Sequence, residues 1–232
     1  SVVDICLQYK HHPVCPVVGM DVAAGEAHFT TASLSHSKAL QRAIQEQIPI
    51  TMHAGEEGEG SNVRMAIDSY KAKRIGHAYR IVVDPDTMDH VKTSNVHIEV
   101  CPTSSNETGG WQYSSTSTSE GSQKKDWKKH PVLDMKKLGI SVGLNSDDPA
   151  VFGTSLTWQY RIAMAKMEWT RNEILQSLQD SLDAAFLDGH DNIKQRIQQQ
   201  IKEYCCEQTV LASVSNKIPF EDRVDPAPPK GA

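Results

Sequence analysis

The sequence predicts an α/β protein organised around a parallel sheet. Three observations carry this. Short apolar runs of strand length alternate with stretches of helical period as far as residue 150, titratable residues sit just beyond the ends of those runs, and the chain after Asp148 reads as helix throughout. A βαβα alternation implies parallel strands joined by right-handed crossovers. With 232 residues and 38% of them hydrophobic, there is material for one large core.

Taken in order, the first strand is expected at Val17–Val22 and a helix at His36–Glu46. A second apolar run, Ile48–Met52, leads into TMHAGEEGEG and a helix at Asn62–Ala72. The third strand, Arg74–Ala78, precedes a helix at Thr87–Lys92, and the fourth is Val96–Cys101. A helix at Val132–Leu138, stopped by Gly139, precedes the fifth strand, Ile140–Leu144. A helix then begins at Pro149, Leu156, Tyr160 and Met164 recur at helical spacing, and further helices are expected over 171–187 and 190–204. Two segments read as lying outside this core. QYSSTSTSEGSQKKDWKK, residues 112–129, is polar and of low complexity, which predicts a solvated loop. KIPFEDRVDPAPPKGA, from Lys217, is rich in proline and charge and predicts a disordered tail, leaving 1–216 as the domain.

Composition narrows the function. A net charge of -5 without a basic run argues against nucleic acid or an anionic membrane as partner and favours a small molecule. No stretch approaches the roughly 20 apolar residues of a membrane span, and SVVDICLQYK lacks the regions of a signal peptide. Five cysteines, an odd number without a CxxC, predict reduced thiols and a cytoplasmic setting; the sequon Asn106-Glu107-Thr108 would matter only in a secreted protein.

The titratable residues then sort by position. His53 and Glu56 follow the second strand, His77 lies at the third, and Asp147 and Asp148 follow the fifth. These are carboxyl ends, which in parallel α/β sheets form the active-site face, and the bend at Ala54-Gly55 would turn His53 and Glu56 toward one cleft. Each residue also has a plainer reading. A strand-end histidine can be a hydrogen-bonded structural group, EEGE can be a solvated loop, and Asp148 before Pro149 can be a helix N-cap.

Together, MHAGE (52–56), RIGHAYR (74–80), HIEVCPTSSNETGGW (97–111) and SVGLNSDDPAVF (141–152), preceded by VVGMDVAAGE (17–26), resemble the ordered motifs of the adenosine deaminase family within the amidohydrolase superfamily. The resemblance runs over about residues 1–205. It implies a (β/α)8 TIM-type barrel of which this chain supplies strands 4 to 8 and the C-terminal helices. It further implies Zn2+ as cofactor, with His53 and Asp147 as metal ligands, His77 orienting the attacking water, and Glu56 moving the proton. Asp148 would hold purine N7, and the backbone at Ala24 would hold N3. The implied reaction is hydrolytic deamination of adenosine or 2'-deoxyadenosine, with another aminopurine (AMP, N6-methyl-AMP or adenine) or a non-catalytic protein as alternatives. Three departures accompany it. No His-x-His pair, which supplies two zinc ligands in the family, occurs in the sequence. The usual Gly-His-Gly is Gly76-His77-Ala78, and Ala24 stands where the family has glycine. His11 and His12 are adjacent, so on an extended segment they would point to opposite faces and cannot replace the pair.

Overall fold

Five strands pair into one parallel sheet whose spatial order is the chain order. In the computed structural model, which describes residues 1–23, 25, 26, 29–111 and 126–212, these are β1 (Met20–Val22), β2 (Ile50–Ala54), β3 (Arg74–His77), β4 (His97–Val100) and β5 (Val142–Leu144). The order never reverses, so the sheet is singly wound in the manner of a barrel, whereas a doubly wound sheet switches direction near its middle. Between the strands lie α2 (Phe29–Gln45), α3 (Gly60–Asp68), α4 (Pro85–Thr93), and the pair α5 (Pro102–Thr108) and α6 (Val132–Lys137). α1 (Val2–Tyr9) precedes β1, and α7 (Pro149–Phe152), α8 (Leu156–Lys166), α9 (Arg171–Ala184) and α10 (Asp191–Ala212) follow β5.

The alternation of side chains along each strand gives the sheet two unlike faces. Ile50, Met52, Ala54, Ile75, Ile98, Val100, Val142 and Leu144 are buried in a core shared with Val63, Ala66 and Ile67 of α3, Met88 and Val91 of α4, and Val132 and Met135 of α6. The opposite face is polar. Register pairs Asp21 with Thr51, Thr51 with Arg74, Arg74 with His97, and Gly76 with Glu99. Arg74 Nε meets Glu99 Oε1 at 2.7 Å, the Thr51 hydroxyl donates to Glu99 Oε2 at 2.8 Å, and the His97 ring bonds the Ser141 hydroxyl at 2.7 Å. The Arg74 guanidinium also lies 4.1 Å from the centroid of the Phe186 ring, just beyond α9. The polar side chains thus satisfy one another, which is the condition for placing them inside a fold.

Local chemistry explains where the helices begin. Asp84 caps α4 by accepting the Thr87 N–H at 3.1 Å, with Pro85 in the first helical position. Thr170 and Glu173 close a capping box on α9. No helix among the described residues is long and apolar enough to cross a membrane.

The elements differ from expectation in several places, α2 among them, which begins at Phe29 and not His36. The first strand is confined to Met20–Val22, because the Val17 N–H donates instead to the Tyr9 carbonyl at the end of α1. Neither α1 nor α5 is foreseen by the sequence pattern. Residues 112–125 lie outside the described residues, but the end of the expected loop is not merely solvated: Trp127–Lys129 forms a 3-10 turn whose tryptophan packs on the core, with its ring 5.8 Å from that of buried Trp111. The segment expected to form a disordered tail also lies outside the described residues.

Candidate active site

All of the strand ends that carry titratable groups open on the carboxyl rim of the sheet. β2 delivers His53 and then turns through Gly55, whose φ of +73° and close neighbours leave no room for a side chain. The Ala78 N–H donates to the Ala54 carbonyl and the Arg80 N–H to that of Gly55, at 3.1 and 2.8 Å, tying the end of β3 to the same turn. His77 and Ala78 are both left-handed, with φ of +70° and +52°, and Asp147 is left-handed at +56°. Such conformations cost a non-glycine residue about 1 kcal/mol or more and concentrate where a site needs a particular aim.

That aim brings four predicted residues together. His77 Nε2 lies 3.5 Å from Glu56 Oε2 and 3.8 Å from Asp147 Oδ2. The His53 and His77 rings are 4.9 Å apart at 56°, and Gly76 lies beside the His53 ring, where a methyl group would only come into ordinary contact at 3.4 Å. Behind His53 stands Asp21, 3.5 Å from Nδ1, an ion-pair distance longer than a formed hydrogen bond. Asp148, next to Asp147, is exposed. It occupies the N-cap position of α7, yet its side chain makes no cap hydrogen bond, so the capping role open to it from sequence is not realised. Ala24 lies outside the described residues.

The electrostatics separate the members of the cluster. Contact with Asp21 raises the pKa of His53, with burial opposing it. Burial, reinforced by His53, pushes the 2% exposed His77 well below the ordinary histidine value, so its contacts with Glu56 and Asp147 at neutral pH are those of a neutral ring, not ion pairs. Glu56 moves upward, first by burial and then by the charge of Asp147. A carboxyl raised toward neutrality beside a neutral imidazole is the pattern of a proton donor and its partner.

The donor chemistry fits a divalent metal. His77, Cys101 and Asp147 place one ligand atom each within 4.8 Å of one another, and the buried His77 Nδ1 has no hydrogen-bond partner among the described residues. His53 adds a second imidazole beside them. Cys101 was not foreseen, although it ends the fourth predicted strand. Its position is set by Tyr79, whose hydroxyl accepts the Cys101 N–H at 2.9 Å and donates to its carbonyl at 3.3 Å. Burial raises the thiol well above its usual pKa, so it is a poor ligand until deprotonated. Glu26 was also missed. Its carboxylate, 6% exposed by residue, accepts N–H groups from the turn that carries Glu56.

Known proteins share this fold. A solved amidohydrolase from Burkholderia ambifaria with bound Zn superposes with a TM-score of 0.74 at 22% identity, over 91% of this chain and 55% of that one, a likeness of fold. The apo N6-methyl-AMP deaminase of Arabidopsis thaliana superposes with a TM-score of 0.70 at 25% identity, over 88% of this chain and 54% of that one. The adenosine deaminase of Xenopus tropicalis is 34% identical over 187 residues, 81% of this chain and 48% of that protein. The chain spans about half the length of the curated relatives it matches. The sequence model of the family described as adenosine deaminase matches residues 1–204, and the chain therefore belongs to the adenosine deaminase family.

Proposed function

We propose that the protein bearing these residues hydrolyses the exocyclic amine of a purine nucleoside, adenosine or 2'-deoxyadenosine, releasing the inosine nucleoside and ammonia. The observation that carries this is the approach of Glu56 and Asp147 to within 3.5 and 3.8 Å of His77 on the strand-end rim, with the Glu56 carboxyl raised in pKa. Zn2+ held by His53 and Asp147 would supply Lewis-acid activation of water. His77, neutral and buried, orients the attacking water toward C6. Glu56 gives its proton to ring N1, which localises the ring electrons and makes C6 electrophilic, then takes a proton from the added water and passes it to the departing ammonia. Asp148, exposed at the rim, is free to hold N7; by resemblance to the family, the Ala24 N–H would hold N3. The free thiols at Cys6, Cys15 and Cys101 are consistent with a reducing, cytoplasmic setting.

A second substrate reading has its own support. The Arabidopsis relative is an N6-methyl-AMP deaminase, so a nucleoside monophosphate is the alternative to a nucleoside. The experiment is amine release by the full-length protein, read as ammonia from adenosine, 2'-deoxyadenosine, AMP and adenine and as methylamine from N6-methyl-AMP, supplied in parallel before and after metal chelation. Fastest turnover of adenosine or deoxyadenosine, lost on chelation and restored by zinc, supports the first reading. Preference for a monophosphate supports the second, and no release from any of the five leaves a non-catalytic role.

A further inference from the structure

We propose that Glu26 is a positioning residue for Glu56: its buried carboxylate fixes the turn Gly55–Gly58 and so aims the Glu56 side chain at His77. The inference rests on the deaminase reading for its kinetic consequence and on geometry for the rest.

Four consecutive backbone amides converge on this one side chain. Glu26 Oε1 accepts the Gly55 N–H at 2.6 Å and the Asn62 Nδ2–H at 3.2 Å. Oε2 accepts the N–H groups of Glu56, Glu57 and Gly58 at 2.6, 2.8 and 2.9 Å. Consecutive amides pointing at one anion form a nest, here filled by a group from the loop after β1 and so from a different strand end. Bonds to a carboxylate are shorter and roughly twice as strong as neutral ones, and burial strengthens them further. The fit is tight, since a methyl group at Gly58 would meet Glu26 Oε1 at 2.8 Å and collide with Asn62.

Glu56 depends on this hold because little else restrains it. Among the described residues its carboxylate takes only a long 3.4 Å bond from the Thr108 hydroxyl and lies 3.5 Å from His77. The precision of its aim therefore comes from its backbone. A misplacement of about 1 Å at a reacting group can lower a rate by about 10²-fold.

The carboxylate, not merely its shape, is required. An isosteric amide has a single oxygen, so in either orientation its NH2 confronts amide donors, either those of Gly55 and Asn62 or those of Glu56, Glu57 and Gly58. In the full-length protein, Glu26→Gln is therefore expected to lower kcat by about 10²-fold, with KM for adenosine and metal content unchanged. Glu26→Asp, which keeps the charge on a shorter arm, should recover part of the loss. Hydrogen exchange at the 55–58 amides should accelerate by about tenfold or more in Glu26→Gln while the amides of β3 keep their protection. Should Glu26→Gln fail to fold, Gly58→Ala, which crowds the same carboxylate, is expected to show the same loss of kcat and the same exchange. A Glu26→Gln enzyme with wild-type kcat, or unchanged exchange at 55–58, overturns the proposal. A wild-type protein that deaminates nothing overturns the deaminase reading instead, and the exchange measurement alone then decides whether Glu26 holds the turn.

Discussion

At the scale of single residues, Asp147 and Asp148 are neighbours with different surroundings. Asp147 is left-handed, mostly buried and 3.8 Å from His77, whereas Asp148 is exposed and makes no cap bond. Asp148→Ala should therefore leave stability within about 0.5 kcal/mol of wild type while impairing kcat and KM, and keep its metal; Asp147→Ala should lose the metal. Melting, metal analysis and steady-state kinetics on the two variants separate them, and a clear fall in melting temperature for Asp148→Ala would contradict the first expectation. Glu56, 3.5 Å from the same His77, has a pKa raised by burial and by the charge of Asp147. Glu56→Gln keeps the shape but not the transferable proton, so kcat should fall by a factor on the order of 10² to 10⁴ with metal retained. Normal turnover in that variant would remove Glu56 from the mechanism.

At the scale of elements, the start of α9 offers a prediction in pH. Thr170 and Glu173 bond reciprocally, with the Glu173 carboxylate accepting the Thr170 N–H at 2.7 Å and the Lys136 ammonium also 2.7 Å away. Burial works upward on Glu173, but Lys136 and Thr170 outweigh it and hold the pKa at about 2 instead of 4.5. Lys136 is itself pulled down by burial, and Glu173 is 40% exposed, so the pair contributes less than the Glu173 shift alone suggests. A depressed carboxyl stabilises above its unfolded pKa and loses that contribution as pH falls through its folded one. Glu173→Gln should therefore melt below wild type at pH 7, by roughly 0.5 to 1 kcal/mol after screening, and the gap should close between about pH 4.5 and 2. A gap that is constant with pH would mean the ion pair and the cap are not its source. The same element scale shows what was legible in the sequence. β2 to β5 fall within their predicted runs to within a few residues, since apolar content marks a buried strand. α5 was not legible because PTSSNET has no apolar period and is held by Pro102 in its first position and by side-chain bonds such as Ser105 Oγ–H to the Pro102 carbonyl. The convergence of the candidate residues was legible because they sit at or soon after strand ends: His53 near the end of β2, His77 closing β3, and Asp147 just past β5. Glu26 was not, because its partners lie about thirty residues away and only the fold brings them to it.

At the scale of the whole molecule, the sheet carries its apolar and polar residues on opposite faces, and the Arg74–Glu99–Thr51 network spans three strands of the polar one. This arrangement acts as a check on assembly. Sliding β3 by one residue against its neighbours would carry Arg74 into the face occupied by Ile75 and Ile98 and leave Glu99 without its cation, an error the chain cannot tolerate. Replacing the pair with apolar residues of similar size, Arg74→Met with Glu99→Leu, should consequently leave the melting temperature near that of wild type, since well-packed apolar groups often stabilise as well as an ion pair withdrawn from water, and this one is partly buried. What should suffer is uniqueness: the double variant should refold from denaturant in lower yield and give duplicated backbone amide resonances along β3 and β4. A single sharp set of resonances with full refolding would show that the apolar alternation alone selects the register. In that role the charge that opens β3 guards the alignment of the histidine that closes it, because His53, His77 and Asp147 meet only when three separate strands stop at the same level.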